Sequence, residues 1–454
     1  MELTLDLLKA NMDTVWVLMT GCLVFWMNAG FACIEAGFCR AKNLVHVLAM
    51  NYIIIAATSL AFWCFGFAIM FGDGNGFIGM TGFFPNLLDK TAFTALQSSG
   101  VAISALFFFQ MVFADTAGTI LSGIIAERMK FGAYLLFAVI MGSVLYPVTG
   151  HWIWGGGWLA TMGFHDFAGS TVVHSIGGWV GLTGALIVGA RMGKYDENGM
   201  PRAIRAHNVG LIALGGFILW LGWFGFNPGS TLAADGKAIG HIFMTTNFAG
   251  AAGTFSALFM AWLYSRKIDF NMAVNGTLAG LVAITAPCDT VSMAGAWAIG
   301  AIAGVLCYYS GFLIEKYVDD PVGALSVHLV NGMWGTLAVG IFGTATGSVG
   351  PVTGLLYGGG FAPVGIQLLG IAAVGGYTVV GSTIVWTIVK MTVGMRVSPL
   401  AEIEGLDEHD HGYPGYVMDD DLSDFAPTPV GDLAMAGMPN ARQIAAEKTT
   451  ALRR

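Results

Sequence analysis

Long, nearly unbroken apolar runs alternate with short polar segments along almost the whole chain. The runs fall near residues 14–38, 45–71, 95–125, 131–150, 170–190, 207–230, 242–264, 272–287, 291–313, 321–344 and 364–394. A stretch of about 20 apolar residues, rising 1.5 Å per residue, crosses a hydrocarbon core about 30 Å thick, so each run predicts a transmembrane helix. The pattern therefore predicts an all-α polytopic membrane protein with eleven spans. Runs 95–125 and 364–394 exceed what a perpendicular span needs and are expected to tilt.

The polar segments carry a charge alternation. Arg40, Lys42, Arg128, Lys130, Arg191, Lys194, Arg202, Arg205, Arg266, Lys267, Lys316, Lys390 and Arg396 fall on one set of loops and helix ends; only Lys9, Lys90 and Lys237 fall on the other. The positive-inside rule then predicts an N-terminus outside and a C-terminus in the cytoplasm. Helices one to five (about 14–190) and six to ten (about 207–344) form two halves, and an odd number per half forces them into opposite orientations. Helix eleven (about 364–394) is expected to wrap the bundle, completing a membrane domain over 1–394 with a cytoplasmic segment and tail over 395–454. The tail is rich in Asp, Pro and Ala and is expected to be partly without fixed structure.

Composition agrees with this reading. Of 454 residues, 56% are hydrophobic and 11% charged, and the mean hydropathy is +0.70. The 65 glycines suit close approach of membrane helices. A net charge of −8 with no basic stripe argues against nucleic-acid binding. The six cysteines form no CxxC pair and read as small buried hydrophobes, and no spacing suggests a metal or haem cofactor. The acidic start does not resemble a secretory signal peptide.

One short pattern occurs twice, D-x-x-G-x-x-x-V-H-x-x-x-G, beginning at Asp166 and at Asp320. It places His174 on helix five and His328 on helix ten, equivalent points of the two halves. An ionisable side chain inside a membrane helix is costly and is a functional candidate by default. Two in inverted halves can face each other at a pseudo-two-fold axis, where imidazoles share a proton and relay it near neutral pH. Asp166 and Asp320 stand where a carboxylate caps free N–H groups at a helix start. Phe109 and Phe113 share a helix face at i, i+4. Trp154 opens a Trp-Gly-Gly-Gly-Trp run, and Trp223, Phe226 and Ser230 lie near one end of helix six. Aromatic faces attract cations, by about 0.5–2 kcal/mol each, and a hydroxyl accepts from an N–H donor.

The stretches AGFACIEAGFCRAKN, FQMVFADTAGTILSGIIAER, HWIWGGGWL, DFAGSTVVH, GWFGFNPGS, DDPVGALSVHLVNGMWG and GMRVSPLAEIEGLDEHDHGYPGY, in that order, resemble the ammonium transporter (Amt) family of the Amt/Rh superfamily over residues 14–416. The resemblance implies a homotrimer with one narrow pore per subunit in the plasma membrane. Trp154, Phe113, Phe226 and Ser230 would form an outer ammonium recruitment site, with Phe113 and Phe226 stacked below it as a gate. His174 and His328 would be the twin histidines of the pore, Asp166 a supporting acid, and Trp223 a neighbour in the same outer region. Gly323 stands where some members carry a further acid, leaving Asp320 alone at the inner end. The partner implied is a PII-type signalling protein at the cytoplasmic mouth, and Gly394–Tyr416 is expected to pack beneath the bundle as a regulatory segment.

The mechanism this implies is recruitment of ammonium, its deprotonation, passage of ammonia, and separate relay of the proton by His174 and His328. Two further readings remain at this point: an Rh-like neutral ammonia channel, which the Trp154 and Ser230 site disfavours, and an ammonium sensor with little flux. An intramembrane enzyme is disfavoured, because His46, His151, His165, His207 and His241 are scattered without triad or metal spacing.

Overall fold

A computed structural model describes residues 4–344 and 350–417. Eleven apolar helices make up its body: α1 Leu5–Phe38, α2 Ala41–Phe71, α3 Ile103–Ile125, α4 Phe131–Ile140 continued through Met141–Leu145 into Tyr146–Ile153, α5 Ser170–Val188, α6 Val209–Gly229, α7 Gly236–Ser265, α8 Phe270–Thr285, α9 Met293–Glu315, α10 Leu325–Phe342 and α11 Ala362–Thr392. Among the described residues, extended pairings are limited to isolated bridges, one of them between Met129 and Arg396. The spans begin where the sequence turns from polar to apolar, and polar residues cap them. Thr4, Asn208, Asp269 and Ser292 each accept a bond from the backbone N–H three positions on, and Asp235 accepts from the N–H groups of Lys237 and Ala238.

Three expected boundaries move. The run at 95–125 is two elements: a four-residue turn Thr94–Gln97, then α3, separated by the non-helical residues 98–102, which begin Ser98-Ser99-Gly100. At 23 residues α3 fits the membrane without the expected excess. The longest helix is instead α1, which starts at Leu5 and runs for 34 residues. Helix α8 has only 16, a length of about 24 Å. It is tolerated because every residue from Ala273 to Thr285 is buried among neighbouring helices rather than in lipid.

The halves pack alike. α1 lies along α6, α3 rests on α5 as α8 rests on α10, and α11 leans across α4, α5 and α10. Small residues set the spacing around α7, α8 and α9: a Cβ on Gly253 would sit 2.3 Å from the Gly276 carbonyl, and one on Gly300 2.1 Å from that of Ala249. The cysteines divide: Cys39, Cys288 and Cys307 are buried, whereas Cys22 is exposed and Cys33 and Cys64 are partly so. The expectation of uniformly buried thiols fails because a bundle in lipid presents apolar residues outward as well as inward.

Residues 395–416 fold back onto one end of the bundle. The Lys130 N–H donates to the Met395 carbonyl (2.8 Å), Val397 N–H to that of Arg128 (3.1 Å), Leu406 N–H to Asn43 Oδ1 (2.9 Å) and His46 N–H to Asp407 Oδ1 (3.0 Å). Buried Glu402 accepts from Arg396 Nη2 at 2.7 Å and from the Met192 N–H at 2.5 Å. At the same end Arg191 bridges Asp319 and Glu127. Burial alone would raise the Asp319 carboxyl, but the Arg191 bonds outweigh it and hold it at about 2. The tail from 418 onward lies outside the described residues.

Candidate functional site

The two D-x-x-G-x-x-x-V-H segments adopt the same local structure. In each, a glycine takes a left-handed backbone (Gly169 φ 118°, Gly323 φ 77°), which a side chain would strain. Each helix then opens with a widened π turn, Ser170–Ser175 or Leu325–Val330, that contains the histidine. The aspartates close the turns. Asp166 accepts from the N–H groups of Gly169, Ser170, Thr171 and Val172 at 2.7–3.0 Å. Asp320 accepts from those of Val322, Gly323 and Leu325 at 2.6–3.3 Å. Each carboxylate thereby fills the N-terminal N–H groups and fixes the rotation of its histidine.

His174 and His328 meet in the interior, Nδ1 to Nδ1, at 3.2 Å, and both are buried. One Nδ1 must donate and the other accept, so the pair carries opposite tautomers around one shared proton. An aromatic column continues from them. His174 stacks on Trp223 (centroids 5.2 Å, 15°) and touches Phe226 (5.4 Å); Phe226 stacks on Phe113 at 4.0 Å and 20°; and Phe113 meets Phe109 (4.6 Å) and the edge of Trp154 (6.0 Å). On the other side His328 meets Phe31 at 5.9 Å.

Above the column is a cavity of about 340 Å³ lined by Trp154, Phe113, Phe109, Gln110, Phe167 and Ser230, among others. The Trp154 indole N–H donates to the Asp166 carbonyl (2.7 Å), presenting its ring toward the cavity. Ser230 donates to the Phe226 carbonyl (2.8 Å), leaving its oxygen lone pairs to accept. Phe226 does not line this cavity; it lies behind Phe113. Trp223, expected in the same outer region, stands deeper, beside His174, its N–H donating to Thr285 at 2.9 Å. Three residues before Phe226 on α6, it is nearly a turn deeper. At the opposite end a vestibule of about 590 Å³ is bordered by Asp320, Gly323, Asp269, Glu315 and Arg205.

Three other histidines bond to neighbouring segments of the chain. His151 bonds the carbonyls of Met70 and Asn75, and His207 that of Cys39. His165, beside Asp166 in the loop before α5, pairs with Asp289 at 3.0 Å; burial would lower its pKa, but the Asp289 carboxylate outweighs this and the net shift is upward. Phe31, Gln110 and Asn275 border the column or its cavities and have no distinctive sequence signal. Glu35 also borders it, and as an ionisable residue in an apolar run it had one.

The Ammonium Transporter Family profile matches residues 15–416. The ammonium transporter Amt2 of Archaeoglobus fulgidus is 45% identical over 442 residues, 91% of each chain. Among solved structures, one described as a sensor Amt protein superposes with a TM-score of 0.82 at 39% identity, covering 89% of this chain and 99% of its own. Saccharomyces cerevisiae Mep2 does so with a TM-score of 0.77 at 26% identity, covering 86% and 88%. A column of stacked rings ending on paired buried histidines thus sits in a chain that belongs to the ammonium transporter family.

Proposed function

We propose that the chain moves ammonium by splitting it, passing ammonia through the apolar column and the proton through the histidine pair. The observation that carries this is the 3.2 Å contact of His174 and His328 at the end of the Phe113–Phe226 stack. A bare monovalent cation in such a space costs on the order of 20 kcal/mol in the idealised limit. Ammonium avoids most of that cost by giving up a proton; potassium, with a similar size and charge, has none to give. Trp154, Phe113 and Ser230 gather ammonium by cation–π contact and a hydrogen bond, and the Phe113–Phe226 stack admits one molecule when it parts. Deprotonation follows, and ammonia crosses past Trp223 and the histidines.

The charge alternation of the loops supports a Trp154 end outside and an Asp320 end in the cytoplasm. Membership of the ammonium transporter family supports a plasma-membrane homotrimer with a PII-type protein at the cytoplasmic face. A second reading, ammonium sensing with low flux, is favoured by the sensor description of the solved structure that is 39% identical. Proteoliposome currents separate the two. Ammonium pulses are expected to give a current and potassium pulses none, and His174→Ala or His328→Ala should abolish the current or let potassium through. Selective native-level current in both variants overturns the relay. Ammonium binding without current or internal alkalinisation moves the assignment to the sensor.

A further inference from the structure

On the Asp320 side of the histidine pair is a small cavity of about 20 Å³, room for about one water molecule. His328 and Glu35 both line it. Glu35 sits on α1 and is 2% exposed. Its carboxyl accepts from Asn51 Nδ2 at 2.7 Å and from Ser122 Oγ at 2.7 and 2.9 Å, which ties α1 to α2 and α3. Among the described residues it has no ion-pair partner. A permanent carboxylate there would be a costly way to join three helices, since an amide could accept the same bonds without charge. A carboxyl differs from an amide in one respect relevant here: it takes up and gives back a proton.

The cavity leads onward. Asn275 and Val322 line both it and the 590 Å³ vestibule at the Asp320 end. A Cβ on Gly123 would fall 2.7 Å from Val322 Cγ2 and 3.1 Å from Glu35 Cγ, so the glutamate and the vestibule wall converge on the same glycine. His328 and Glu35 thus share the one-water space, and Asn275 and Val322 stand between that space and the vestibule.

Resting on the relay reading above, we propose that Glu35 is the proton-transfer group that clears the histidine pair toward the Asp320 end. A proton on His328 passes to the water in the small cavity, and that water gives a proton to the Glu35 carboxylate. The carboxylic acid then releases it to water in the vestibule, where ammonia arriving by the column takes it up as ammonium. The N–H bond broken is the one His328 gained when the pair took the proton from ammonium, the one formed is on the ammonia in the vestibule, and His328 and Glu35 each end with the proton count they began with.

The test uses the full-length protein in proteoliposomes. Glu35→Gln keeps the hydrogen-bond acceptor but not the proton site, and should lower the ammonium-evoked current by at least about tenfold. Native current in wild type that is unchanged in Glu35→Gln overturns this proposal alone. A wild-type protein that alkalinises the vesicle interior without current overturns both the relay and the role of Glu35. If Glu35→Gln does not yield monodisperse protein, infrared difference spectra replace it. Ammonium added to wild type should produce a carboxyl-stretch band that moves in Glu35→Asp. A spectrum without that movement overturns the proposal, because a carboxyl acting only as a structural tie would not change protonation during transport.

Discussion

Asp166 commits both oxygens to four backbone N–H groups, and no amide can imitate that. In Asp166→Asn, one side-chain atom becomes an NH2 facing N–H donors. We expect a loss of about 2–4 kcal/mol of stability and a fall in ammonium current, because the π turn that aims His174 is released. A melting temperature and current both equal to wild type would refute this. The two histidines and two aspartates were legible in the sequence because the pattern repeats and because charge inside an apolar run stands out. Phe113 and Phe226 were legible as candidate aromatics, but their stacking only through family resemblance; a phenylalanine among many carries no mark of stacking at 4.0 Å. The depth of Trp223 is hidden in the sequence, because the seven residues that separate it from Ser230 are nearly two helical turns of descent.

Between elements, His165 and Asp289 join the loop before α5 to the segment after α8, and Gln367 from α11 clasps the same loop through the His165 N–H (3.0 Å) and carbonyl (2.7 Å). The His165 pKa is raised on folding, so the pair's contribution is fully present below the unfolded value of about 6.5 and is lost as pH rises through the higher folded value. Hydrogen exchange over residues 162–169 should therefore quicken as pH rises above about 6.5, beyond its intrinsic base dependence, by about two- to fivefold. In His165→Gln that excess should vanish; an excess that persists would sever the link. Helix existence was legible throughout, since run length decides it. Helix ends were not: the break at Ser98-Ser99-Gly100 sits inside a run whose average hydropathy stays high, and the shortness of α8 depends on neighbours that shield it.

At the scale of the whole molecule, residues 395–416 bind the start of α2, the α3–α4 junction and the turn after α5 together. Arg396 and Glu402 are the hinge of that contact, and Asn43 and His46 receive its far end. Removal of the chain from Glu402 onward is expected to lower ammonium current several-fold while leaving the spans folded, checked by current per reconstituted protein together with circular dichroism. Undiminished current would assign the segment a passive role. The inverted arrangement of the halves was legible from five helices per half and from Lys/Arg alternation. The docking of 395–416 was suggested only by motif, because polar chain after a last helix is indistinguishable in sequence from a solvated end.

The near-equivalence of the two histidine segments has a kinetic meaning. Each imidazole is reached by the same turn, braced by the same kind of acid, and faces its twin through the same nitrogen. The rings around them differ, His174 resting on Trp223 and Phe226 and His328 on Phe31, but no step along the path consumes an energy source. Detailed balance then leaves the arrow of travel to the gradients on either side: with ammonium in excess at the Asp320 end and the voltage reversed, the same protein should drain a vesicle.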